Sequence, residues 1–522
     1  MSGDLIIGLD AGTSMNKAVA FGLDGRQEAV AALRNRYEEP GGGAVEQDMA
    51  ATWDDTVQAL RQLAERVPDL GRRVRALAVT GQGDGTWLID GAGAPVAPAW
   101  LWLDSRAAGL VAEAEASGAR KDIFRFTGCG LNACNQSVQL AWLKRHRPEV
   151  LKAAATAFHC KDWLYFNLTG ERVTDPSEGS FTFGDFRTRS YRNEILAALD
   201  IADLKRLLPP MLDGSAQTHP LTAAAARATG LPEGLPVALG YLDVICTGLG
   251  AGLYDPDRPA GCSIVGSTSM HMRLCETADA IDLPPEPTGY TMPFPLRDSV
   301  AQMQSNMAAT LNIDWVVQLA CEAAASLGQD ADRKDALSRL DAQVLNAQAG
   351  AALYHPYIHE SGERGPFVDV NARAQFLGLS TKTGFLDLLR SVYEGLALAA
   401  RDCYGAMGAP PQEVRMAGGA ARSTALKTIF ASTLRVPIRE VNREEAGAAG
   451  AAMMAAVAIG AQRDMAEAFR TWVASCLGEQ IAPDADLADR YERLFPIYVA
   501  ARQAMPPLWR QLAELRPGAQ AP

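Results

Sequence analysis

The sequence predicts an α/β protein of two or more domains, and three observations carry that expectation. The chain has 522 residues, more than one hydrophobic core usually organises. Apolar runs end in small-residue or polar turns that lead towards helical patterns, around residues 74–90, 240–252 and 414–423; this is the grammar of α/β units. The pattern of the opening stretch, apolar run, glycine, Ser/Thr cluster, apolar run, returns at residues 262–272, which points to an internal duplication.

Composition limits the function. Apolar residues make up 48% of the chain and charged residues 21%, a globular balance. The net charge of −12 argues against a nucleic-acid partner. The nine cysteines are scattered and form no Cys-x-x-Cys pair, which argues against a zinc site or disulfide framework and fits a reducing cytoplasm. The N-terminus runs straight into a strand pattern without a basic, apolar leader, so no secretion signal is expected. No uninterrupted apolar run is long enough for a bilayer, so no membrane span is expected.

Along the chain, Leu5–Phe21 reads as a hairpin with Gly12, Thr13 and Ser14 at its tip. Bare backbone and two hydroxyls make an anion cradle, Lys17 adds positive charge, and Asp10 stands where it can hold a cation. An ordinary glycine-tipped hairpin is the alternative reading. A helix is expected over Met49–Val67 and a buried strand over Val74–Thr80, delivering the chain to the turn Gly81–Asp90. There Asp84 can accept hydrogen bonds from substrate hydroxyls, or only from its own turn. Trp100 and Trp102 at i, i+2 would share one face of a strand, as a wall for a polyol or as core. The loop Thr127–Gln136 offers Asn132, Asn135 and Gln136 to a ligand.

Asp243 follows an apolar strand and opens a helix of small residues, where the helix dipole keeps a carboxylate ionised. It can serve as a general base towards a hydroxyl, or simply as a cap. Gly266, Ser267 and Thr268 form the tip of the second hairpin. Thr383–Met407 is a helix. Gly418, Gly419 and Ala420 form a turn whose bare backbone suits a flat ring such as adenine. Val436–Ile438 is a short strand, Glu444–Ala452 begins a helix with almost no side-chain bulk, and 485–515 reads as one or two amphipathic helices before a frayed Pro-Gly-Ala-Gln-Ala-Pro end.

Taken together and in this order, these motifs resemble the FGGY family of carbohydrate kinases across most of the chain. The resemblance implies two ribonuclease-H-like α/β domains of the actin/hexokinase ATPase type with a catalytic cleft between them, over residues 1–245 and 246–522. It implies ATP and Mg²⁺. Asp10, Gly12, Thr13, Ser14, Asn16 and Lys17 correspond to the first phosphate motif, Gly266, Ser267 and Thr268 to the second, and Gly418, Gly419 and Ala420 to the adenosine motif. Asp243 corresponds to the catalytic base, with Asp10 and Asp243 near Mg²⁺ through water. Gln82, Asp84, Trp102, Asp104 and Asn132 fall on the substrate side. A homodimer is common in the family.

The resemblance has departures. Glycerol kinases carry Arg-Glu after the strand-end glutamine, where this chain has Gly83-Asp84, and they carry a tyrosine near the place of Cys134. Xylulokinases carry Met-His after Gly-Gln. These differences count against glycerol and D-xylulose. The Gly81–Asp90 turn with Trp100–Asp104 is most similar to the erythritol kinase branch, with L-xylulose, ribulose and 3-keto-L-gulonate kinases as rivals. A non-catalytic sensor on the same fold would be expected to lose Asp243 or a phosphate hairpin, and both are intact.

Overall fold

The computed structural model describes residues 3–329 and 332–515; the Pro-Gly-Ala-Gln-Ala-Pro end lies outside them. The chain forms two compact units. The first is Met1–Pro256, Leu274–Ala301 and Arg443–Cys476; the second is Asp257–Arg273, Gln302–Asn442 and Leu477–Pro522.

In the first unit, a sheet runs in the order His219–Pro220, Pro236–Leu239, Val74–Gly81, Leu5–Ala11, Met15–Gly22, Gln27–Arg34. Leu5–Ala11 and Met15–Gly22 form the expected hairpin. Val74–Gly81 lies parallel to Leu5–Ala11, and Pro236–Leu239 parallel to Val74–Gly81. Alternate residues of the first strand serve opposite faces. Leu5, Ile7, Leu9 and Ala11 join one core with Ala59, Leu60 and Leu63 from the helix Met49–Arg66, which starts where expected because Asp48 accepts from Ala50 N and Ala51 N. Gly8 and Asp10 face the helix Ala446–Ala458.

The second sheet has seven strands, in the order Tyr290–Pro293, Val300–Asn306, Ser269–Cys275, Ala260–Val265, Glu413–Ala417, Ile438–Val441, Leu477–Ile481. A hairpin is followed by two parallel neighbours and an antiparallel edge strand. That is the succession of the first sheet. The duplication expected from the two hairpins therefore extends to six strands of each sheet, the ribonuclease-H-like pattern that the resemblance implies, and Tyr290–Pro293 is an extra edge strand on the second. The helix Phe385–Ala406 and the two C-terminal helices, Ala485–Ala504 and Pro506–Glu514, also form. The short strand after residue 434 is Ile438–Val441 rather than Val436–Ile438.

The lack of side-chain bulk in Ala446–Ala458 has a packing cause. A Cβ on Gly450 would lie 1.9 Å from the Cys246 carbonyl oxygen, and one on Gly447 would lie 2.5 Å from Asp10 Oδ2. The helix thus seats against both Asp243–Gly250 and the end of the first strand. It belongs to the first compact unit although it follows the second sheet in sequence. Gly450→Ala should destabilise the protein by about 2 kcal/mol or more, because the atom in the way is backbone and cannot rotate aside. Denaturant unfolding that left Gly450→Ala as stable as the parent would contradict this packing.

Candidate active site

Asp10 sits one residue before the end of Leu5–Ala11, directly across the ladder from Lys17. The tip closes with Gly12 N donating to Met15 O at 3.0 Å, and Ser14 is exposed at its crest. Asp243 is the first residue of its helix, and Val244 N donates to its Oδ1 at 2.6 Å. The preceding residue is pinned by Leu242 N donating to Ser177 Oγ at 3.0 Å.

Both carboxyls titrate abnormally. Burial pushes Asp10 up to about 6; Lys17 pulls it down and the charge of Glu445 pushes it up. Burial, and then the charge of Asp10, push Asp243 up to about 7, against the Val244 amide and Lys161. Carboxylates that oppose each other's ionisation are what a divalent cation relieves. Among the described residues no group of three His, Cys, Asp or Glu is arranged to hold a metal. Two carboxylates are instead the sparse donor set that suits Mg²⁺ carrying water and phosphate oxygens.

Lys17 and Asn16 do not sit as the phosphate reading expects. Lys17 Nζ pairs with Glu445 Oε2 at 2.8 Å, so its charge is already matched. Asn16 points to the opposite face of the hairpin, where its Nδ2 donates to Thr56 Oγ1 at 2.6 Å and the residue is fully buried. The strand's two-residue period forces this, since a residue beside Lys17 cannot share its face.

On the acceptor side, the strand carrying the tryptophans is only Ala99–Trp100, so the two rings do not share a face. Trp100 is buried and lies under the Arg106 guanidinium, 3.4 Å from the ring centre. Trp102 is 37% exposed and donates from Nε1 to Thr13 Oγ1 at 2.7 Å. Thr13 donates in turn to Gln82 Oε1 at 3.1 Å. Asp104 is buried with both oxygens occupied, by Val45 N and by Arg106; it fixes the loop. Asn132 bonds only locally, to Gly130 O and Asn135.

Asp84 holds a left-handed backbone, φ 59°, a costly conformation for a residue with a Cβ. Its Oδ2 accepts from Asn135 Nδ2 at 2.9 Å and Cys134 Sγ at 3.5 Å, while Oδ1 has no hydrogen-bond partner. Burial pushes it up to about 6, with the Asn135 bond the leading opposing influence. An unpartnered buried carboxylate oxygen is ready to accept a hydroxyl.

Behind Asp84 lies an ionic cluster that sequence reasoning missed. Lys161 pairs with Asp162 and Asp175, each at 2.6 Å, and His159 Nε2 lies 3.5 Å from Glu178 Oε2, all five side chains almost fully buried. Burial pushes Glu178 up to about 8, against His159 and Lys161. The signal was a Lys-Asp pair inside the apolar run of residues 158–168, with acids following at 175 and 178.

In the second unit, Gly266 N donates to Thr268 O at 2.9 Å, and Ser267 and Thr268 are exposed. Ala309 N and Thr310 N donate to the Ser267 and Gly266 carbonyls. Gly418 has φ 91° and would bring a Cβ within 2.5 Å of Val265 O, so only glycine lets the exposed Gly418-Gly419 turn lie against that hairpin; Ala420 is buried beneath it.

Comparison with known proteins gives the family. The N-terminal domain of the FGGY family of carbohydrate kinases matches residues 5–250, and the C-terminal domain of that family matches residues 261–459. The chain is 52% identical over 511 residues to an erythritol kinase of Brucella abortus, covering 98% of each chain. It is 28% identical to a xylulose kinase of Rhodospirillum rubrum of known structure, with a TM-score of 0.85 over 97% of this chain and 100% of that one. A gluconate kinase from Lactobacillus acidophilus shares the fold at 22% identity, with a TM-score of 0.88 over 98% of this chain and 100% of that one.

Asp10, Asp84 and Asp243 all titrate above their ordinary value in the folded state. The native protein therefore keeps protons that the unfolded chain releases. The stability they contribute is complete below about pH 4 and is lost as pH rises through about 6 and 7. Asp243→Asn removes one share of that loss. Without ligands it should melt a few degrees above the parent near pH 8 and close to it near pH 4. Equal melting temperatures at pH 8 would show that Asp243 carries no such cost.

Proposed function

The chain belongs to the FGGY family of carbohydrate kinases, and from that premise we propose that it phosphorylates erythritol with ATP. The single observation that carries the substrate is the 52% identity to an erythritol kinase over nearly the full length of both chains. The Gly81–Asp90 turn, with the unpartnered Asp84 Oδ1 and the exposed Trp102 ring nearby in sequence, supports a small neutral polyol whose hydroxyls need acceptors and whose C–H faces need an apolar wall.

In this reading Asp243 is the general base. The substrate hydroxyl oxygen attacks the γ-phosphorus of ATP, its proton passes to the Asp243 carboxylate, and ADP leaves with the electrons of the broken P–O bond. The ordinary cap role for Asp243 is the weaker reading, because its raised pKa reflects Asp10 as well as burial. Gly12, Thr13 and Ser14, with Gly266, Ser267 and Thr268, hold phosphate oxygens, and Gly418, Gly419 and Ala420 take the adenosine. Gln82, Asp84 and Trp102 hold the polyol, with Asp104 and Asn132 shaping the surrounding loops. Asp10 and Asp243 would hold Mg²⁺ through water, and the ion would neutralise phosphate charge. Lys17, paired with Glu445, supplies charge only at longer range.

As a functional division, residues 1–245 carry acceptor binding, the first phosphate hairpin and the base, and residues 246–522 carry the second phosphate hairpin, the adenosine turn and the C-terminal helices. The reach of the two family domains, 5–250 and 261–459, supports this. The enzyme acts in the cytoplasm, and a homodimer is the assembly the family implies. Among the described residues no helix is long and apolar enough to cross a membrane.

An ADP-release assay with Mg·ATP should show turnover strongest on erythritol within a panel of D- and L-threitol, glycerol, D- and L-xylulose, D- and L-ribulose and 3-keto-L-gulonate. A preference for a ketopentose would overturn the substrate and keep the kinase. Asp243→Asn should bind polyol normally and lose about 100- to 10,000-fold in kcat; near-parental turnover would place the base elsewhere.

A further inference from the structure

Two buried amides behind the first hairpin have no role in the reading above. Asn35 is 6% exposed and Gln47 is 2% exposed. Gln82 Nε2 donates to Gln47 Oε1 at 3.0 Å. This leaves Gln47 Nε2 as the donor, to Asn35 Oδ1 at 2.7 Å and Thr52 Oγ1 at 2.8 Å. The Thr52 hydroxyl donates its own proton to Asp48 O at 2.7 Å, so towards Gln47 it can only accept. Asn35 then donates from Nδ2 to Gly12 O at 2.9 Å, and its backbone N donates to Ser14 O at 2.9 Å.

At the other end, Gln82 Oε1 accepts from Thr13, and Thr13 accepts from Trp102. The result is a closed circuit: Thr13, Gln82, Gln47, Asn35, and back to Gly12, the residue before Thr13. Every amide in it has its donor and acceptor ends fixed by its neighbours. None can flip without setting donor against donor or acceptor against acceptor.

We propose that Gln47 and Asn35 are positioning residues that lock the Gly12–Ser14 turn and the acceptor-side groups Gln82 and Trp102 into one register. The proposal rests on the kinase reading, in which the first group meets phosphate and the second meets polyol. Its chemical consequence is a coupling between nucleotide and polyol that runs through the hairpin, apart from any that runs through Asp243. Gln47→Glu keeps the side chain's shape but sets an acceptor against Asn35 Oδ1 and Thr52 Oγ1. Asn35 must then turn its amide, which puts its oxygen against Gly12 O and frees the turn.

The test uses nucleotide and polyol together. ADP affinity is measured by calorimetry, and kcat and KM for ATP and erythritol by the coupled assay, for the parent, Gln47→Glu, Asn35→Ala, Gln82→Ala and the Asn35→Ala/Gln82→Ala pair. The relay predicts that Gln82→Ala, on the polyol side, weakens ADP binding about tenfold. It also predicts that Asn35→Ala raises the KM for erythritol, and that the double variant is little worse than the worse single one. Fully multiplying effects, or a Gln82→Ala protein with parental ADP affinity, would overturn it. A merely structural role would lower the melting temperature without this cross-effect. If Asn35→Ala does not fold, Asn35→Ser takes its place in the cycle. If the parent turns over no polyol, the substrate reading fails, and the ADP titrations still decide the relay.

Discussion

Two carboxylates that repel one another, Asp10 and Asp243, are the constraint on which the first unit is built. Each is delivered by backbone: one by the end of a central strand, the other by the first residue of a short helix. Their approach depends on the helix Ala446–Ala458, whose glycines leave room for the Asp10 carboxyl and the Cys246 carbonyl. The fold thus keeps two buried carboxyls near each other at a cost in stability. Such costs persist where a ligand is expected to repay them.

The acceptor side follows the same logic with different chemistry. Asp84 keeps a left-handed backbone, a raised pKa and an orphan oxygen. Behind it lie Lys161 with Asp162 and Asp175, and His159 with Glu178, buried charges that tolerate burial because each faces an opposite or proton-sharing partner. Burial opposes ionisation of Asp162, yet Lys161 and His159 hold it down at about 2. Rigid, pre-paid polarity of this kind lets a site recognise neutral hydroxyls without reorganising.

Much of this was legible in the sequence, for identifiable reasons. Glycine tips and strand-end aspartates are set by backbone demands a few residues long, so the places of Asp10 at a strand end, Asp243 at a helix start and Gly418 in a turn are legible. The duplicated hairpin led to two sheets that share a succession of six strands, the second with one more at its edge. Long-range pairing was not legible. Nothing near Lys17 in sequence announces Glu445, and nothing near Asp104 announces Val45 N. The tryptophan wall failed because its strand stops at Trp100, after which a turn sends Trp102 to Thr13 instead. Asn16 is a different case: the two-residue period of the strand already places it on the face opposite Lys17.

On the proposed function, Asp243 is largely protonated in the free protein near pH 6.5, and Mg·nucleotide displaces that proton. Calorimetric titration of the parent with a non-hydrolysable Mg·ATP analogue near pH 6.5, repeated in buffers of different ionisation enthalpy, measures that displacement. The account predicts net proton release on binding, much reduced in Asp243→Asn. Binding heats that do not change with the buffer would contradict it.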